Sequence, residues 1–136
     1  MFEESILTEI KNHAHSTKPE ECCGLIVSQE KQILLFKARN VSEYDKKFTF
    51  TIHPEDLIKA SLSGKITHYY HSHNTESDGV FSERDILNYK LHGICSIIYN
   101  TTKDQFYFLN NENNNGKEVD ITALLYVLPV GLIFNT

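Results

Sequence analysis

The segment from residue 66 to residue 85 reads ITHYYHSHNTESDGVFSERD and divides into a strand, a loop and the start of a helix. Its first residues are mostly β-branched or aromatic, which favours a strand. His71 and His73 stand two apart, so a strand points both imidazoles to the same face. Ser82 and Asp85 follow, one helical turn apart. Two imidazoles and a carboxylate are the ligands of an open tetrahedral zinc site, in which water takes the fourth position.

The same residues also allow a purely structural interpretation. A His-x-His pair alone is a weak sign of metal binding, because exposed histidines at strand ends are common. Ser82 is a typical helix cap, and Asp85 is an acidic residue in the first helical turn. Capping and catalysis do not exclude each other, so both interpretations stand for this helix.

A second motif lies upstream, where residues 19–27 read PEECCGLIV. It has the pattern Glu-x-Cys-Gly running into an apolar strand. Strand alternation puts Glu21 and Cys23 on one face of the sheet, and Glu20 and Cys22 on the other. The cysteines are expected to be packing residues, because an adjacent pair lacks the spacing of a Cys-x-x-Cys metal site.

Together these motifs resemble the JAMM (MPN+) family of zinc metallopeptidases, and they are most similar to its compact bacterial and phage members. The resemblance runs from the first helix to about residue 109 and includes a Phe-x-Ile-x-Pro run at residues 50–54. It implies an α/β (α+β) fold, with a central mixed β-sheet flanked by helices in the cytidine-deaminase-like arrangement. We expect residues 1–136 to form one such domain, with a polar loop at 110–117 and an apolar C-terminal segment at 118–136.

The resemblance also implies a role for each residue of the motifs. His71, His73 and Asp85 would bind Zn²⁺, the only cofactor expected. Glu21 would contact the catalytic water and act as general base and acid, with Glu20 as the competing candidate. Ser82 would help to stabilise the oxyanion.

The chain departs from the family pattern in the loop between the second histidine and the serine. This loop, Asn74 to Phe81, has eight residues where the family usually has seven, and Asn74 stands where a proline is common. Loop-closure entropy grows slowly with length, and Gly79 accepts the backbone angles of a tight turn. We therefore expect a changed, mobile loop at the rim of an intact site.

The function implied is hydrolysis of a peptide or isopeptide bond, after the C-terminal tail of a ubiquitin-like or small β-grasp protein. Two alternatives remain open: a phage tail-assembly type of processing or docking protein, and a non-catalytic MPN scaffold.

Composition restricts the partners and the compartment. The 136 residues suit one hydrophobic core, and the net charge of −5 gives no footprint for nucleic acid. The apolar stretch 121–134 is interrupted by Pro129 and Gly131 and is too short to span a bilayer, so no membrane partner is expected. Three cysteines do not suggest a disulfide framework, and the N-terminus has no signal-peptide pattern. These features predict a cytoplasmic protein.

Periodicity and turn signals predict the remaining elements. His13 and His15 close the first helix and are expected to be helix C-terminal side chains rather than ligands. The predicted elements are helices at 2–15, 54–62 and 82–91, and strands at 24–28, 32–36, 47–52, 66–73, 94–99 and 105–109.

Overall fold

The computed structural model of the chain describes residues 4–76, 81 and 83–109. In this part of the chain, five strands form one mixed sheet in the order β2-β1-β3-β4-β5. Strands β3 and β4 pair in parallel, and the other neighbours are antiparallel. The elements are α1 (Glu4–Thr17), β1 (Cys23–Ser28), β2 (Ile33–Ala38), α2 (Pro54–Ser63), β3 (Lys65–His73), α3 (Glu83–His92), β4 (Cys95–Asn100) and β5 (Gln105–Leu109). The predicted α+β fold with a central mixed sheet is confirmed.

The pairing of β1 with β3 brings the two sequence motifs together. Cys23 lies opposite His71, and Gly24 lies opposite Tyr70. A Cβ atom on Gly24 would come within 2.2 Å of the Tyr70 ring. The glycine of the Glu-x-Cys-Gly motif is therefore required because the tyrosine ring lies against the backbone of β1.

Helices cover both faces of the sheet. Helix α1 packs through Ile6, Ile10 and Ala14 on a face that also carries Cys22. Ala60 of α2 packs on the opposite face, in a cluster that contains Cys23. The two cysteines point to opposite faces, as the alternation predicts. Both are free and buried, and burial raises the pKa of the Cys22 thiol to about 12, which agrees with a packing role.

One predicted strand is wrong. Residues 47–52 do not form a strand, and only Ile52 makes a bridge, with Asn40. Asp45 accepts hydrogen bonds at its backbone carbonyl from the N–H groups of Phe48 and Thr49, each at 3.0 Å, and closes a turn instead. The N–H of Lys47 also donates to Asp45 Oδ1 at 3.0 Å, and local side-chain bonds of this kind compete with sheet pairing. The other described elements agree with the prediction to within two residues at each end.

Several predicted features lie outside the described residues: Ser82, the middle of the loop at 77–80, the polar loop at 110–117 and the apolar segment at 118–136. Among the helices that are described, none has the length and hydrophobicity needed to cross a membrane.

Candidate metal centre

The two histidines stand together at the end of the central strand β3. Both point to one face, and their ring centroids lie 5.0 Å apart. His71 is fully buried and His73 is half-buried, so the pair lies partly open to solvent only at the His73 end. This is the arrangement that the two-residue spacing predicts.

Glu21 approaches the histidines from the segment just before β1. Its backbone N–H donates to the carbonyl of Lys46 at 2.8 Å, and its carbonyl accepts from Asn40 Nδ2 at 3.1 Å. The side chain is only 2% exposed, whereas that of Glu20 is exposed. The fold therefore points Glu21, and not Glu20, into the protein.

The three side chains form one cluster. One ligand atom from each of Glu21, His71 and His73 lies within 4.8 Å of the other two. At these distances a single ion, or a water molecule beside it, can contact more than one of them. Among the described residues this is the one group of histidine, cysteine and acidic side chains with such a spacing.

His71 has the chemistry that a metal requires. Neither ring nitrogen has a hydrogen-bond partner among the described residues, although both are buried. A buried polar atom without a partner is unusual in a native protein and calls for an explanation. Burial, with a contribution from His73, lowers the pKa of the His71 imidazole well below its usual value, so the ring stays neutral. A neutral imidazole is the form that binds zinc, and the residues present therefore fit the metal.

Asp85 reaches the same face of the sheet from helix α3. Its carboxylate is 1% exposed and accepts a hydrogen bond at Oδ1 from the hydroxyl of Tyr69. Tyr69 precedes His71 by two residues on β3, and the planes of the two rings are only 9° apart. Asp85 is thus bonded to a residue of the face that carries the histidines, but its carboxylate is not part of the 4.8 Å group of Glu21, His71 and His73. Ser82 lies outside the described residues.

Ser72, between the histidines, holds the strand that follows Glu21. The N–H of Cys22 donates to Ser72 Oγ at 2.8 Å, and the N–H of Ser72 donates to the Cys22 carbonyl at 3.2 Å. These two hydrogen bonds hold the segment that contains Glu21 against β3. It was not predicted, but strand alternation already points the Ser72 side chain away from the imidazoles.

Asn74 anchors the start of the lengthened loop. Its Nδ2 donates to the carbonyls of Pro19 at 3.1 Å and Glu20 at 3.3 Å, and its Oδ1 accepts from Thr101 Oγ1 at 2.7 Å. The carbonyl of Thr75 accepts from Asn100 Nδ2 at 2.9 Å. These bonds tie Asn74 and Thr75 to two other segments, which the sequence did not predict for this end of the loop.

An aromatic ring supports His71 from the side. Phe50 stacks on the imidazole, with centroids 4.4 Å apart and planes 25° apart. The sequence marks Phe50 only as part of a short motif, and nothing in its spacing reveals this contact. Phe50 lies in irregular chain, where periodicity does not report which way a side chain points.

His13 and His15, which have the same two-residue spacing as His71 and His73, lie on the opposite face of the sheet. His13 Nδ1 is 2.8 Å from the hydroxyl of Tyr70, and His15 Nε2 is 3.2 Å from that of Tyr99. Both tyrosines belong to the face covered by α1. These histidines hydrogen-bond to tyrosines near the end of α1, and they lie outside the group formed by Glu21, His71 and His73.

Comparison with known proteins adds one match. Residues 3–112 match the family model of the prokaryotic homologs of the JAB domain, well over half of the chain. The match includes the Glu21 segment, both histidines and Asp85. Among curated proteins, none matches this chain significantly.

Proposed function

The chain belongs to the prokaryotic homologs of the JAB domain, within the JAMM/MPN family, and from this premise we propose that it is a zinc-dependent metallopeptidase or isopeptidase. The observation that carries the proposal is the cluster of Glu21, His71 and His73 within 4.8 Å. The family includes peptidases and non-catalytic members, and a buried carboxylate beside two imidazoles favours the catalytic class.

The metal ligands in this proposal are His71, His73 and Asp85. Two neutral imidazoles and one carboxylate would leave a bound zinc ion with a net positive charge and one position for water. Bound zinc supplies a Lewis acid and lowers the pKa of a water molecule to about 7. Because His71 and Asp85 are buried, bulk water would be excluded from their side of the site, and electrostatic interactions there would be stronger than in water.

Glu21 moves the proton in the proposed reaction. Its carboxylate takes a proton from the attacking water and returns it to the nitrogen of the leaving amine. The carbon–nitrogen bond breaks, and the products are a carboxylate and an amine. Ser82 would donate a hydrogen bond to the oxyanion, and the loss of one such donor typically lowers the rate by ~10²–10³.

The substrate we propose is a protein or peptide, cleaved after the C-terminal tail of a ubiquitin-like or small β-grasp protein. This choice is an analogy with the family. We further propose that the protein acts in the cytoplasm, because the free cysteines Cys22, Cys23 and Cys95 suit a reducing compartment.

Metal analysis tests the site. Protein purified without chelators should contain about one zinc per chain, and His71→Ala and Asp85→Ala should lose it. His68→Ala is the matched control, because His68 lies on the same strand and its Nδ1 contacts Thr67 Oγ1 at 2.8 Å. A parent protein that binds no zinc would contradict the proposal and favour the non-catalytic MPN scaffold.

Turnover tests the chemistry. On a ubiquitin-like protein joined through its C-terminal glycine to a peptide, Glu21→Gln should keep zinc and cleave at least ~10²-fold more slowly. Glu20→Gln, one residue away and exposed, should cleave like the parent. If Glu20→Gln lost activity and Glu21→Gln did not, the general base would be Glu20 instead of Glu21. Zinc binding without cleavage of any ubiquitin-like fusion would favour the phage tail-assembly alternative.

A further inference from the structure

A tyrosine and an aspartate are joined in the interior beside the candidate metal centre. The Tyr69 hydroxyl donates a hydrogen bond to Asp85 Oδ1, and the two side chains are 0% and 1% exposed. The bond links β3 to α3 across 16 residues of sequence. It is a contact between a neutral donor and a buried carboxylate, a class of hydrogen bond that is stronger than neutral pairs.

Tyr69 stands on the same strand face as the histidines. It precedes His71 by two residues, its ring centroid is 6.3 Å from that of the imidazole, and the rings are nearly parallel. Phe50 contacts both rings, with its centroid 6.2 Å from that of Tyr69. The ring of Tyr69 is therefore held by packing, and its hydroxyl is a fixed point from which the Asp85 carboxylate can be oriented.

An aspartate on the first turn of a helix needs such a fixed point. Its side chain rotates about two bonds, and a metal ligand must present an oxygen in one direction to within a fraction of an ångström. A carboxylate has two oxygens, so a hydrogen bond to Oδ1 orients the whole group without preventing it from binding a metal. Partners of this kind commonly hold the ligands of metal sites.

We propose that Tyr69 is a positioning residue, which holds the Asp85 carboxylate in the direction required for binding zinc beside His71 and His73. This inference rests on the proposed function, because it assumes that Asp85 is a ligand. It assigns to Tyr69 a role in metal affinity in addition to its role in the core.

The test is the zinc affinity of Tyr69→Phe, measured by competition with a chromophoric chelator. This variant removes one hydroxyl and keeps the ring. We expect zinc to bind ~10–100-fold more weakly, the usual effect of losing a partner of a metal ligand. Tyr70→Phe is the matched control, because Tyr70 is equally buried and its hydroxyl contacts His13 Nδ1 at 2.8 Å on the opposite face. It should bind zinc as the parent does.

A second comparison separates positioning from general loosening of the core. Asp85→Ala should not keep zinc through purification, but it should still bind added zinc weakly through the two histidines. Adding Tyr69→Phe should change that weak affinity by less than about twofold, since the partner is gone. A further drop of tenfold would overturn the proposal. If Tyr69→Phe folds only with zinc, the release of zinc to excess chelator should be at least ~10-fold faster than from the parent.

Three results separate the inference from the function on which it rests. A parent chain that binds no zinc overturns both. A parent that binds zinc, together with a Tyr69→Phe variant of equal affinity, overturns only the role of Tyr69. Equal weakening by Tyr69→Phe and Tyr70→Phe also overturns it, because the effect would then not depend on Asp85.

Discussion

The phenyl ring of Phe50 lies against the imidazole of His71 with 4.4 Å between the ring centroids. One ring comes from the irregular segment between β2 and α2, and the other from the centre of the sheet. Aromatic contacts of this kind add to the free energy gained by burial. The stacking also fixes the plane of a ring whose nitrogens must face a metal.

We expect Phe50→Ala to lower the free energy of unfolding by about 3–5 kcal/mol, because it leaves a cavity beside His71. Urea unfolding of the zinc-free protein measures this change. Phe48→Ala is the control, since Phe48 is 55% exposed and should change stability by less than about 0.5 kcal/mol. Equal losses in the two variants would mean that Phe50 does not support the centre.

Asn74→Ala should release the segment that carries Glu21. It removes the hydrogen bonds from Asn74 Nδ2 to the exposed carbonyls of Pro19 and Glu20, and the bond that Asn74 Oδ1 accepts from Thr101. We expect the free energy of unfolding to fall by about 0.5–1.5 kcal/mol. Zinc content should be unchanged, while kcat on a cleavable substrate should fall because Glu21 is less well placed. Asn12→Ala on the exposed side of α1 is the control. An unchanged kcat in Asn74→Ala would show that the Ser72–Cys22 contact suffices to hold Glu21.

Acid should destabilise the zinc-free protein. Burial lowers the pKa of His13, with help from the charge of Lys37, and that of His68, each from 6.5 to about 4. Below pH 6.5 the unfolded chain binds protons at both residues, whereas the folded chain does so only near pH 4. Stability should therefore fall as the pH falls from 6.5 to 4. Urea midpoints measured across this range test the expectation, and the double variant His13→Gln/His68→Gln should show a shallower fall. An equal slope in parent and variant would contradict it.

Deletion of Ser77 should restore the spacing that is usual in the family and leave zinc bound. The deletion falls beyond Thr75, which is anchored to Asn100, so the bonds that hold the end of β3 are kept. We expect turnover to change and the urea midpoint to stay near that of the parent. Loss of zinc would show instead that the eight-residue loop is needed to place Asp85 where it can bind the metal.

The parts of the fold that were predicted correctly rest on strong local patterns. The apolar positions Ile6, Ile10 and Ala14 define α1, and the alternation around Cys22 and Cys23 assigns the two faces. The error at residues 47–52 has a physical cause. Phe48 and Phe50 alternate as in a strand. The N–H groups of Phe48 and Thr49, however, donate to the Asp45 carbonyl in a turn, and Phe48 faces solvent.

The candidate site divides in the same way. The orientation of His71 and His73 to one face follows from strand alternation, and the structure agrees. The choice of Glu21 over Glu20 follows from the family pattern; the structure buries Glu21 and exposes Glu20, and the role of Glu21 as the base stays a prediction. The contact of Tyr69 with Asp85 depends on where α3 lies on the sheet, and the stacking of Phe50 depends on a segment without regular structure. Neither contact follows from a periodic pattern of residues, so neither could be predicted from the sequence.

The contact of Cys22 with Ser72 joins residues 50 apart in the chain, and it bears on the order of events during folding. Of the proposed site residues, only His71 and His73 are close together in the unfolded chain, because Glu21 and Asp85 reach them only after the intervening segments have closed into loops. Zinc should therefore leave the folding rate nearly unchanged and slow unfolding instead, since the complete site exists only in the finished sheet. The ion would then lengthen the lifetime of the native protein without serving as its folding nucleus.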